Sequence, residues 1–154
     1  YEISECLVGS EMCIRDRGEL LIDFTENGSS AQGNPMLEAN PGGAPCNVLA
    51  MLEKLGKKTA FIGKVGNDMF GKQLKAAVEE CGIDTRNLVM DDEIHTTLAF
   101  VHTYPDGDRD FSFYRNPGAD MMLTKDEVQK TSDTISHKRK RESFSFYDMI
   151  SIIG

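Results

Sequence analysis

The chain has 154 residues, 40% of them hydrophobic and 27% charged, a composition that suits a water-borne domain able to bury a core of its own. No apolar run approaches the roughly 18 to 20 residues that span a bilayer, and no basic-then-apolar leader is present, so the expectation is a cytoplasmic, non-secreted protein. The net charge is −8, and the acidic body excludes broad binding to nucleic acid or to anionic membranes.

Cys6, Cys13, Cys46 and Cys81 show no C-x-x-C spacing, and His95, His102 and His137 are scattered among them. Free thiols in a reducing compartment are expected, and a zinc site is not.

Taken in order, the chain divides into 1–17, 18–130 and 131–154. The opening YEISECLVGSEMCIRDR sets Arg15, Asp16 and Arg17 directly ahead of an apolar run, where a first core strand would be apolar. It therefore reads as foreign to the rest of the chain, as adaptor-derived translation would be. The run ELLID, Glu19 to Asp23, suits a short buried strand with an acid at its tip, and TENGSSAQGNP is turn chemistry. In PGGAPCNVLAMLEKLG, Pro45 suits a first helical turn. Val48, Leu49, Leu52 and Leu55 form an apolar stripe, and Gly56 caps the end. KTAFIGKV reads as a strand. The segment from Asp68 to Cys81 reads as a second helix with Phe70, Leu74, Ala77, Val78 and Cys81 on one face, closed by Gly82.

Alternating strands and helices predict a parallel sheet, because parallel neighbours need crossover connections. IHTTLAFVHTY and DFSFYR flank PDGD, which predicts a hairpin, a small antiparallel lid on the α/β unit. Thr124 with Glu127 resembles a capping box opening a further helix. Beyond Gln129 no amphipathic period continues, so 131–154 reads as a divergent tail, as a frameshift would produce. Its block His137–Arg141 matches nucleic-acid or nuclear-import patterns, a reading that the acidic body opposes.

Several stretches carry chemistry. Gly66 to Gln73 is one residue short of the phosphate loop G-x-x-x-x-G-K-[ST]. Gln73 stands where a metal-binding hydroxyl belongs and Asp68 would repel phosphate, so Asn67 or Asp68 reads as a helix cap. A degenerate nucleotidase loop is the alternative. Gly42 and Gly43 ahead of a helix allow close approach of a ligand to backbone N–H groups, or form a simple turn. Asn47 can both donate to and accept from a sugar hydroxyl. Asp23 can accept from polyol hydroxyls or act as a surface carboxylate. Arg115, at the end of the aromatic run containing Phe113, can bind an anionic or hydroxylated ligand or form a surface ion pair.

GELLIDF, NPGGAPCNVLAMLEKLG, TAFIGKVGNDMFGKQL, CGIDT, TTLAFV and DGDRDFSFYRNPGADMML occur in this order. Together they resemble the N-terminal half of the PfkB, or ribokinase-like, carbohydrate kinases, and within them the fructokinases. The resemblance spans about residues 18–128. It implies an α/β fold, a mainly parallel sheet flanked by helices with a small β lid, here truncated. It also implies transfer of the γ-phosphoryl group of ATP to a sugar hydroxyl with Mg²⁺, and a lid able to carry a homodimer contact. By position, Asp23, Gly42, Gly43 and Asn47 match the family's sugar contacts, and Phe113 and Arg115 match lid residues. Leu49 stands where the family often has a small residue. The family's D-T-x-G-A-G-D motif, with its catalytic base, does not occur in these residues, so the expectation is a chain that binds sugar without turnover. An inactive sugar-binding or oligomerisation module, or a kinase for ribose or 2-keto-3-deoxygluconate, stands as the alternative.

Overall fold

The computed structural model describes residues 13–104 and 106–129. They belong to two compact units, the first ending at Leu123 and the second starting at Thr124. In chain order the first unit contains β1 (Cys13–Arg17), β2 (Leu21–Ser29), β3 (Pro35–Gly42), α1 (Ala44–Lys54), β4 (Lys58–Gly66), α2 (Met69–Glu80), β5 (Asp84–Asp91), β6 (Leu98–Thr103) and β7 (Arg109–Tyr114), with a 3-10 turn at Ala119–Met122.

The strands form two sheets. One is wholly parallel in the order β1-β4-β5, and the other runs β3-β2-β6-β7. In the second, only the β2–β6 pair is parallel. The expected parallel sheet, covering helices and antiparallel hairpin are thus all present. The central strand β4 is buried along most of its length, as a strand covered on both faces must be. Phe61 and Val65 from β4, Leu20 and Ile22 around the start of β2, Leu49 from α1, and Leu74 and Val78 from α2 form the core. β7 is exposed throughout.

Both helices stop by the same device. The N–H of Gly56 donates to Glu53 O at 2.8 Å and that of Lys57 to Leu52 O at 3.0 Å. At the end of α2, Gly82 donates to Glu79 O at 2.9 Å and Ile83 to Val78 O at 3.3 Å. In each case a glycine with φ near +80°, 75° for Gly56 and 86° for Gly82, turns the chain so that the last carbonyls are satisfied.

The structure differs from the sequence reading in four places. Asp23 is not a strand tip: β2 continues through Ser29, because Thr25 to Ser29 find partners in β3 and β6 that local turn propensity cannot anticipate. β3 and β5 were not foreseen, since neither has a clean apolar alternation. On α1 the buried residues are Pro45, Cys46 and Leu49, while Val48 is 52% exposed. The face is set by Pro45, which packs so closely on Gly18 that a Cβ there would meet its ring. Finally, part of the set-apart opening segment, Cys13–Arg17, runs parallel to β4 at the sheet edge. Ladder bonds are made by backbone and tolerate charged side chains at an edge, and Ile14 packs against the core. The expected tail from residue 131 onward, including His137–Arg141, lies outside the described residues.

In the second unit, the Thr124 N–H and hydroxyl donate to Glu127 Oε2 at 2.7 and 2.8 Å, and the Glu127 N–H returns to Thr124 Oγ1 at 3.3 Å. The capping box opens a helical stretch at 125–129.

Candidate functional site

The site is built where β2 begins, β3 ends, β6 begins and β7 ends. Asp23 is in register with Asn40 of β3 on one side and Ala99 of β6 on the other, and Ala99 is in register with Phe113 of β7. Residues in register share a face, so Asn40, Asp23, Ala99 and Phe113 form one row across the sheet. Two strand spacings separate Asp23 from Phe113, about 10 Å. Phe24 and Phe100 belong to the opposite face, stacked on each other with centroids 4.9 Å apart, and Phe24 also meets Phe70 of α2 edge-on at 5.6 Å. That face is covered. On the face of Asp23, Phe113 is 54% exposed and stacked against Phe111, Asp23 and Asn40 are half-buried, and Ala99 is buried.

The two glycines that end β3 have a structural cause. A Cβ on Gly42 would overlap the Asp23 carboxylate, and one on Gly43 would lie 2.5 Å from Glu19 O. Gly43 is also the N-cap of α1, with φ 125°, a conformation that favours glycine. No side chain caps α1, and Pro45 brings no N–H to its first turn, so the Ala44 and Cys46 N–H groups are the ones left without an intrahelical acceptor there.

Arg115 follows β7 directly. Its guanidinium pairs with Asp120, lies 3.3 Å from Glu19 Oε2, and leaves Nε buried without a partner among the described residues. Asp120 also accepts from the Thr97 hydroxyl. The Asp23 carboxyl is raised above its ordinary range by burial first and by the Glu19 charge second. Glu19 thus touches both candidate polar groups electrostatically. Asn40, Glu19, Thr97 and Asp120 were missed in the sequence. Asn40 lies two residues before Gly42, so a strand reading of MLEANPG would have put it on the site face. Asp120 carries no local signal.

Asn47 is placed differently. On the first turn of α1 it lines a cavity of about 520 Å³ together with Gly42, Cys46, Ala50, Val78 and Cys81. Asp23 is not among the walls. The structure therefore brings Asp23, Gly42, Gly43, Phe113 and Arg115 to one corner, and Asn47 shares only Gly42 with them. The Cys46 thiol is pushed up to about 12 by burial, helped by Asp16 and Cys81.

The near phosphate loop is a helix start. Asp68 accepts from Gly71 N at 2.8 Å, from Thr96 N at 2.9 Å and from the Thr96 hydroxyl at 2.8 Å. Burial opposes ionisation there, yet these bonds hold the carboxyl below its ordinary range. Gln73 donates to Ala39 O at 3.3 Å. With a carboxylate on the N-terminus of α2, that loop does not fit a nucleotide phosphate. Among the described residues no group of three or more His, Cys, Asp or Glu could hold a metal.

Comparison with known proteins places the chain among relatives of known class. Fructokinase-1 of Zea mays is 44% identical over 139 residues, 89% of this chain and 41% of that protein. Fructokinase of Solanum tuberosum is 46% identical over 113 residues, 72% of this chain and 35% of that protein. The crystal structure of fructokinase with bound ATP from Xylella fastidiosa superposes with a TM-score of 0.70 at 36% identity, covering 78% of this chain and 38% of that one. The chain thus spans about two fifths of the length of curated relatives such as these. The family model described as pfkB family carbohydrate kinase matches residues 17–138, and the chain belongs to that family.

Proposed function

We propose that this chain carries the sugar-binding part of a cytoplasmic, ATP-dependent fructokinase that converts fructose to fructose 6-phosphate, with Mg²⁺ neutralising phosphate charge. The observation that carries this reading is the half-buried pair Asn40 and Asp23, with Phe113 in the same row, beside the uncapped start of α1. A carboxylate and an amide accept and donate to hydroxyls, an aromatic face covers a sugar ring, and free helix N–H groups receive a ligand oxygen. Similarity to fructokinases of maize and potato supports fructose as the sugar. The residues here contain neither the family's base motif nor a nucleotide-phosphate fit, so the chain alone binds sugar without phosphorylating it.

Titration calorimetry with D-fructose, run beside an ATP-turnover assay, tests this. Fructose should bind weakly, Asp23→Ala should abolish binding, and ATP should not turn over. Turnover by the purified chain, or fructose binding that is indifferent to Asp23→Ala, would overturn the proposal. The half-exposed pair Phe111 and Phe113 also supports a homodimer through the lid. Sedimentation should then show a dimer that Phe111→Ser dissociates.

A further inference from the structure

The corner beside Asp23 holds three carboxylates and one guanidinium. Asp120 is only 2% exposed at its side chain and is bonded to both Arg115 and the Thr97 hydroxyl. Glu19 lies 3.3 Å from the same nitrogen, Nη2, that Asp120 engages, and Nε is buried without a partner among the described residues. Arg115 therefore has two acids for one positive charge. Glu19 also lies close enough to Asp23 to raise its carboxyl, after burial. A ligand approaching Asp23 meets a field that is net negative.

We propose that Glu19 and Asp120 are specificity-determining residues of this site: two acids set against the one charge of Arg115 leave the corner net negative, so that neutral polyols are accepted and sugar acids are rejected. This rests on reading Asp23 as a sugar contact. An arginine beside a sugar site otherwise favours a carboxylated ligand, since its planar fork matches a carboxylate bidentately. Here one nitrogen of that fork, Nη2, already faces two protein carboxylates in a partly desolvated corner, where charge interactions are strong. Selection against charge comes from the negative group that is built in as much as from any contact to the accepted ligand.

The test compares D-fructose with 2-keto-3-deoxygluconate, a sugar acid, by calorimetry on the full chain at low and high salt. The parent should favour fructose by at least about tenfold, with the preference shrinking as salt rises. Glu19→Gln should leave fructose binding within about threefold while strengthening binding of the acid about tenfold, the scale of one removed neighbouring charge. Asp120→Asn, checked for folding by circular dichroism, should shift the ratio in the same direction. NMR titration of Asp23 in the Glu19→Gln chain should show its carboxyl ionising at lower pH, a readout that needs no sugar. An unchanged ratio in both variants with fructose still bound overturns this proposal and leaves the sugar site standing. Failure of the parent to bind fructose at all overturns the sugar-site reading and this proposal with it.

Discussion

Gly42 and Asp23 constrain each other. The carboxylate occupies the space that a side chain on Gly42 would need, so Gly42→Ala should cost about 1–3 kcal/mol as an overpacking change and should displace Asp23. Urea denaturation reads the first effect and fructose titration the second. A variant as stable as the parent would mean that Asp23 is not held against Gly42. The sequence points to Asp23, the glycines and Arg115 as candidates, but not to the partners that decide what they do. Arg115 is legible as a cation. That two acids engage it is not, because Glu19 and Asp120 meet it only through the fold. The cysteines give a second residue-scale prediction. Cys81 is exposed and Cys46 is buried with its thiol pushed up to about 12. Iodoacetamide at pH 8 should modify Cys81 well before Cys46, read by peptide mass spectrometry. Equal rates would show that the α1–α2 cavity opens freely.

At the scale of elements, helix ends were readable and helix faces less so. Gly56, Gly82, Asp68 and the Thr124–Glu127 pair act as caps because capping is local chemistry, decided within four residues. The buried face of α1 is decided by Pro45 meeting Gly18 from another part of the chain, which no periodicity within the helix reports. The difference is measurable. Leu49→Ala, at a fully buried position, should cost about 2–5 kcal/mol, whereas Val48→Ala should stay within about 0.5 kcal/mol. Chemical denaturation of the two variants checks this, and reversed costs would restore the simpler stripe. Asp68→Ala should cost about 1–2 kcal/mol by loss of the cap alone, and more where Thr96 loses its partner.

Across the whole molecule, acid stability follows from carboxylates held by hydrogen bonds. Asp68 is lowered despite burial. Asp91 is lowered by the N–H groups of Glu93 and Ile94 and then by Lys64, whose ammonium lies 3.1 Å away. A folded value below the unfolded one means stability that is present above the ordinary carboxylate range and lost as pH falls through the folded value. Thermal melts should therefore fall steeply below about pH 4, and Asp68→Asn should flatten that fall. Asp23 has the opposite sign: its raised carboxyl contributes stability at low pH that is lost as pH rises through its folded value. An acid profile unaltered by Asp68→Asn would show that the Asp68–Thr96 link is not maintained in solution.

The uninterrupted course of β2 has a mechanical consequence. Its first residues are in the core and its last are at the exposed end of the lid sheet, with Asp23 near the root. Gly28 lies five residues beyond Asp23, about 17 Å along an extended strand. A pivot of about 10° in the backbone at Asp23 would sweep that end through about 3 Å. Because β2 is laddered to β3 from Leu21 to Ser29 and to β6 from Ile22 to Thr25, such a pivot would carry the neighbouring strands with it, and the far end of the sheet would travel further than its root.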